Sequence, residues 1–412
     1  MRSYLAVLRT PGAWRFYVPG FFARLPNAMF SSAITLMIVG YFREYRVAGV
    51  VTAVATVANA IAAPIVGRLF DRYGQRRIGR PLIGVFALSA GGLVAVAATH
   101  RPVVVLCLFA ACTGAAAFPV GSLVRSRWST LHGRSQKMQS AFSLESMFDD
   151  VAFTVAPTVA TTLATVTLPL VGFQPAAGVV TMVALLLVAG LIFLAQRDTE
   201  PEIAPGADRA SRSAILCPGV LLVTLVFLGV GIQFGSNNIT MVAMCEQLGA
   251  TWLAGPIMAC GSVASMLGAL FYGARHWVTP LWKRFVIGVV ILAGAGLLFL
   301  TAHSYVALAM VSFLAGASIS PSFVNGNAMI QRLVPATSLT EGLTWIGTSL
   351  GVGIAAGASL AGHMVDSYGA HSGYWVLSGG AVVALAIALA SARSLRRHSV
   401  AAAVASHSSA GA

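Results

Sequence analysis

Charge is the scarcest feature of this chain. Only 9% of its 412 residues are Asp, Glu, Lys or Arg, against roughly a quarter in an ordinary soluble domain. The acids number 12, and lysine occurs only at Lys137 and Lys283. A soluble globule must coat itself with polar groups. The composition therefore excludes a soluble enzyme, a disordered chain and a nucleic-acid-binding domain. Cysteine is also scarce. Cys107, Cys112, Cys217, Cys245 and Cys260 form no CxxC pair and no Cys/His ligand set, and read as unpaired packing residues. No Gly-x-x-x-x-Gly-Lys-Ser/Thr loop is present, so nucleotide-driven pumping by this chain has no support. The histidines are scattered and no His-Glu-x-x-His stands in an apolar run, so neither an enzyme nor a cofactor or metal site is expected. No short apolar segment with a cleavage site precedes the first long run, so a removed signal peptide is not expected.

Apolar residues take the place of charge. They make up 57% of the chain, and the mean hydropathy is +0.83. A bilayer-crossing helix needs about 20 such residues. The chain breaks into twelve runs of that kind: 16–41, 47–67, 79–98, 103–124, 138–167, 175–195, 215–241, 249–272, 284–302, 305–327, 340–362 and 371–391. The expected fold class is an all-α membrane protein of 12 transmembrane helices. Most connections are short, which makes sequential helices antiparallel neighbours. The net charge of +14 is dispersed in small clusters between the runs. With the N-terminus placed in the cytoplasm, 22 of the 26 basic residues fall on the cytoplasmic side. Only Arg43, Arg46 and Arg101 face the other way, and Arg24 lies inside the first run. The positive-inside rule then puts both termini in the cytoplasm. The strong preference for Arg over Lys points to a GC-rich, bacterial genome and hence to the inner (plasma) membrane.

The longest polar stretch, 196–214, carries Arg197, Asp198, Glu200, Pro201, Glu202 and Pro205 and has a linker's composition. It divides the chain into an amino-terminal six-helix bundle (1–195) and a carboxy-terminal one (215–392). The tail, 393–412, is rich in Ala, Ser, Gly and His and is expected to be disordered. The halves echo each other. Gly114-Ala115-Ala116-Ala117-Phe118-Pro119 in run four matches Gly316-Ala317-Ser318-Ile319-Ser320-Pro321 in run ten. A duplicated six-helix unit with pseudo-two-fold symmetry requires that register.

After run two comes Gly67-Arg68-Leu69-Phe70-Asp71-Arg72-Tyr73-Gly74-Gln75-Arg76-Arg77. It resembles the G-x-x-x-D-R-x-G-x-R-R signature of the major facilitator superfamily, at the loop where that family carries it. The resemblance extends over the whole chain through the twelve runs, the 6+6 split and the linker. It implies a transporter of two six-helix bundles that rock about a central site. It also implies a gating role for Gly67, Asp71, Arg72, Gly74, Arg76 and Arg77, with Asp71 facing the N-terminus of span eleven. A plain topogenic loop remains the alternative. The equivalent loop of the second half, Tyr272 to Trp277, has no acidic residue. A weaker echo, Gly362 to Gly369, reads as a helix-end turn, with an outside gate as the alternative. The R-x-x-Q-G pattern of drug–proton antiporters is absent from span four, and Ala156-Pro157 in span five only loosely resembles the antiporter G-P motif.

Ionisable groups inside a bilayer cost about 2.5–3.5 kcal/mol each on insertion scales. Arg24 in span one and Glu145, Asp149 and Asp150 in span five are therefore candidates for function. Glu145 and Asp149 share a helical face and Asp150 is turned about 100° away. Arg24 can pair with Asp149 or with Asp150. Such a pair can be a proton site, a permanent lock between spans one and five, or a direct substrate contact. Arg125 and Arg127, at the end of span four, can join it or snorkel to the surface. Glu341, in the first turn of span eleven, reads as complementing the helix dipole.

The family resemblance implies a cavity lined by spans one, four, seven and ten, with eleven beside them. The candidates are Asn27, Phe30, Ser31, Phe118, Gln233, Phe234, Asn237, Ser318, Ser320, Asn325, Trp345 and Thr348. Helix–helix hydrogen bonding is the competing role for each. Amides, hydroxyls and aromatics suit a neutral or amphipathic organic molecule. The expected function is proton-coupled export of a small organic compound by a monomer in the lipid bilayer, without nucleic acid. The alternative is uptake of a sugar or other nutrient by proton symport or facilitated diffusion.

Overall fold

The computed structural model describes residues 2–133, 135–165, 175–202, 213–275 and 277–408. Among them the chain is helical nearly throughout and has no strand. A short α1 (Arg2–Leu8) precedes α2 (Ala13–Phe42), α3 (Tyr45–Tyr73) and α4 (Gln75–Ala98), which are spans one to three. Span four is broken into α5 (Val103–Ala116) and α6 (Val120–His132). Span five is α7 (Gln136–Thr165). Span six consists of α8 (Ala177–Leu185), a π turn at Leu186–Gly190 and α9 (Leu191–Ala195). Spans seven to twelve are α10 (Pro218–Gln247), α11 (Ala254–Ala274), α12 (Leu281–Leu298), α13 (Tyr305–Leu333), α14 (Leu339–Tyr368) and α15 (Gly373–Ser408).

Among the described residues, 11 helices are long and apolar enough to cross a membrane. The span missing from that set is α7, although it runs for 30 residues. Its three carboxylates lower its hydropathy, and the end of run 138–167 lies outside the described residues. The last helix continues to Ser408. Ala-rich sequence is a good helix former, and residues 409–412 of the tail lie outside the described residues.

Local chemistry explains the boundaries. α3 stops at Gly74, whose φ of 88° is a conformation that favours glycine. The break in span four falls at Pro119, which has no N–H to continue the ladder. The matching Pro321 leaves α13 continuous. The glycines of the same repeat behave alike. A methyl at Gly114 would overlap the carbonyl oxygen of Ala55 on α3, and one at Gly316 would overlap that of Gly261 on α11. Span four thus meets span two, and span ten meets span eight, through equivalent glycines. Helix association in lipid depends on such close backbone approach.

The chain forms two compact units. The amino-terminal unit is Ala6–Gly133 with Phe148–Arg209, and the carboxy-terminal unit is Met1–Leu5, Arg134–Met147 and Ala210–Ala412. α7 is divided between them at Met147. In the carboxy-terminal unit one buried cluster gathers Val223, Phe227, Phe285, Met329 and Leu343. A second gathers Met241, Ile257, Leu308 and Tyr374.

Candidate functional site

The amino-terminal unit holds a charge cluster on three helices. Arg24 of α2 donates from Nη1 to Oδ1 of Asp149 on α7 at 2.8 Å. Arg125 of α6 donates from Nη2 to the other carboxylate oxygen, Oδ2. The break at Pro119 starts α6 afresh and sets Arg125 on its second turn. Gly121 leaves the room: a Cβ there would stand 3.0 Å from Arg125 Nη1 and 3.9 Å from Asp149 Oδ1. Aromatic edges pack alongside, with Phe148 at 4.9 Å from Phe21 and 5.1 Å from Tyr17 between ring centroids. The arginines are almost fully buried, whereas 26% of the Asp149 side chain is exposed. One carboxylate serves two guanidiniums, so these three residues carry a net positive charge. Glu145 is fully buried, in the carboxy-terminal unit, and Asp150 is half-buried.

Arg127, two residues beyond Arg125, does not snorkel. It is completely buried. Its Nε donates to Gln75 Oε1 at 2.8 Å, and its Nη1 donates to the Gln196 carbonyl at 3.0 Å and to Thr199 Oγ1 at 3.1 Å. The guanidinium also lies 4.0 Å from the Phe193 ring centroid. Arg127 thus fastens the start of span three to the first residues of the linker. The linker adds a second tie, since Glu200 Oε1 accepts the Arg76 backbone N–H at 2.9 Å in the first turn of α4. Gly74, Arg76 and Arg77 of the motif, with Arg80, Arg197 and Glu202, line an open cleft of about 850 Å³ around Glu200. Arg72 lies over Tyr73 at 5.2 Å. Gly67 is buried and Asp71 half-buried. Sequence reasoning missed Arg127 as a staple and Glu200 as a cap. A carboxylate beside Pro201, one linker's reach from a helix start, was the available signal.

Glu341 behaves similarly in the carboxy-terminal unit. Its Oε1 accepts the Ala214 N–H at 3.0 Å and the Ser213 hydroxyl. It sits in the first turn of α14 and ties the exit of the linker to that turn.

The cavity candidates divide between the units. In the amino-terminal unit, Asn27 and Ser31 are exposed on one face of α2, Phe30 is buried, and Phe118 packs on Phe70 at 5.6 Å. In the carboxy-terminal unit, Ser318 donates to the Ala315 carbonyl, Ser320 pairs with Ser265, and Asn325 accepts from Tyr272 at 2.6 Å. Phe234 stacks on Phe323 at 6.3 Å. Gln233 lies between α12 and α15, its Oε1 against Gly296 and beside Leu377 and Ala381. Gln233 Nε2, Asn237 Oδ1, Trp345 Nε1 and Thr348 Oγ1 are buried without a hydrogen-bond partner among the described residues. Gly347 to Gly351 fits Gly-x-Ser-x-Gly. It lies inside α14, and Ser349 donates to the Ile346 carbonyl at 3.0 Å. A nucleophile elbow needs a strand-to-helix turn, and this segment has none. Among the described residues no group of three or more His, Cys, Asp or Glu could hold a metal ion.

The twelve-span arrangement has close structural counterparts. The human organic anion transporter MFSD10 (TETRAN) superimposes with a TM-score of 0.70 at 14% identity, over 92% of this chain and 100% of that one. A bacterial homologue of the iron transporter ferroportin, in an outward-facing state with soaked iron, gives 0.70 at 12% identity over 94% and 99%. The fucose:proton symporter FucP of E. coli gives 0.67 at 15% identity over 91% and 98%. No curated protein sequence matches the chain. The profile of the Major Facilitator Superfamily matches residues 18–295 and 280–409. With that match over nearly its full length, the chain belongs to the major facilitator superfamily and is a multi-pass membrane transporter, not an enzyme.

Proposed function

We propose that this transporter exports a small organic compound in exchange for protons, with Asp149 as the coupling group. The observation that carries the reading is the Arg24–Asp149–Arg125 cluster. It joins three helices through a single half-buried carboxylate. A proton on that carboxylate removes the charge that both guanidiniums share. The ties from span five to spans one and four are then lost together, which gives the two-state element that alternating access needs. The motif loop is the gate on the same side, with both termini cytoplasmic in the inner membrane of a bacterium and the transporter working as a monomer. Small organic solutes are the cargo to test first. An organic anion transporter and a fucose:proton symporter stand among the structures of the same fold.

A second reading also has an observation behind it. Each carboxylate oxygen of Asp149 already has its own guanidinium, which is the geometry of a permanent lock. Everted vesicles with an acidic lumen and a fluorescent pH probe separate the two. Pools of antimicrobials, metabolites and sugars are added to vesicles carrying the native protein, Asp149→Asn or Asp150→Asn. Proton coupling gives compound-dependent release of luminal protons that is lost in Asp149→Asn. Compound movement with no proton movement in the native protein makes the cluster a lock, and uptake or facilitated diffusion becomes the function.

A further inference from the structure

The second half's counterpart of the motif loop, Tyr272 to Trp277, has no acidic residue, and the transport reading gives it no task. The structure places a cavity there. It has a volume of about 160 Å³ and lies within the carboxy-terminal unit, between the start of α7, the α11–α12 connection, the first turn of α12 and the end of α13. Arg275, Arg284 and Arg332 line it, together with Gln139, Ser140 and Asn325. None of the described residues in its wall is acidic.

Arg284 has neutral partners: Nη1 donates to Gln139 Oε1 at 2.7 Å and to the Tyr272 hydroxyl at 3.2 Å. Its Nε is buried without an acceptor among the described residues. Arg275 stacks over Trp277 at 5.1 Å and has no carboxylate partner among the described residues. Leu281, in the wall, is the first residue of α12, which has no acid in its first turn and no side-chain cap. The positive end of that helix therefore adds to the potential of the arginines. The amino-terminal unit treats the matching place differently. There Glu200 supplies a carboxylate to the first turn of α4. The first turn of α12 has no such carboxylate cap.

We propose that this cavity binds the oxyanion of a phosphate group, carried by an anionic phospholipid headgroup or by free inorganic phosphate. Guanidinium forks match phosphate oxygens in pairs, and the cavity is of a size for one such group rather than for an organic cargo molecule. The proposal stands apart from the direction of transport and from proton coupling.

The full-length protein in nanodiscs tests it. Native mass spectrometry compares discs of phosphatidylcholine with discs that also hold phosphatidylglycerol, and thermal shift in phosphatidylcholine discs is titrated with inorganic phosphate. The variants are Arg275→Gln, which alters an exposed side chain, and Arg284→Gln. If the cavity binds phosphate, at least one ligand binds saturably to the native chain and about tenfold more weakly to Arg275→Gln. Retained phosphatidylglycerol identifies the lipid as the source, and stabilisation by inorganic phosphate identifies the free anion. The proposal is overturned if folded Arg275→Gln binds both ligands as well as the native chain, or if the native chain binds neither. Arg284→Gln is informative where its melting remains cooperative, and Arg275→Gln decides the matter where it does not.

Discussion

Asp149→Asn should destabilise the protein more than removal of either of its arginine partners. Replacing Arg24 or Arg125 with Gln leaves one neutral ion pair behind. Replacing Asp149 leaves two guanidiniums, each almost fully buried, without the carboxylate they share. Breaking a fully buried pair costs about 3–5 kcal/mol. A quarter of the Asp149 side chain is exposed, so solvent screening reduces that to about 2–3 kcal/mol. Asp149→Asn should also cost less in an Arg125→Gln background, because only one cation then loses the shared carboxylate. Tryptophan-fluorescence melting in one detergent, run on the three single variants and the Asp149→Asn/Arg125→Gln double variant, measures the cycle. Equal losses from all three single substitutions, or a larger loss from Asp149→Asn in the Arg125→Gln background than alone, would refute the shared-carboxylate account.

Gly114→Ala and Gly316→Ala should each lower the melting temperature by several degrees, since the new methyl meets a neighbouring backbone oxygen that cannot rotate away. Gly347→Ala, in a helix with nothing near the new methyl, should be neutral or stabilising by up to about 1 kcal/mol. Glu200→Ala removes the acceptor at the start of α4 and should cost about 0.5–2 kcal/mol. It should also speed proteolytic cutting of the linker, as read by limited trypsinolysis and mass spectrometry. Arg127→Lys should not rescue Arg127→Met, because one ammonium cannot reach Gln75, Gln196 and Thr199 in the guanidinium's fork geometry. Equal melting of Arg127→Lys and the native protein would disprove the staple.

The twelve spans were legible because each is a run of the right length with basic residues at one end. Hydropathy alone loses span five, because its carboxylates lower its apolar signal. The sequence also pointed to the Arg24 pairing, since an intramembrane arginine needs a partner. Which aspartate it takes depends on how α7 is rotated about its axis, and a one-residue step turns the side chain by about 100°. The same limit governed the cavity residues. A helix that is apolar all round gives no sign of which side faces a neighbour. So Gln233 and Asn237, correctly placed four residues apart, could not be assigned to a face, and Gln233 lies against α12 and α15. Arg127 escaped for a further reason. Its partners, Gln75, Gln196 and Thr199, come from two distant stretches of chain, and no spacing rule joins them.

The ends of the helices show how a duplicated chain can become asymmetric in its charges while keeping its framework. The close glycine contacts are equivalent in the two halves, Gly114 on Ala55 and Gly316 on Gly261. Such contacts tolerate no added atom. The helix starts are different, because a positive helix end is satisfied by any anion within reach. α4 takes Glu200 from the linker, and α14 carries Glu341 in its own first turn, where it also holds Ser213 and Ala214. α12 has neither, and opens on the arginine-lined cavity. Packing thus preserves the repeat where two backbones touch. Electrostatics lets it diverge where a carboxylate can be borrowed from the linker, built into the helix, or absent from the first turn.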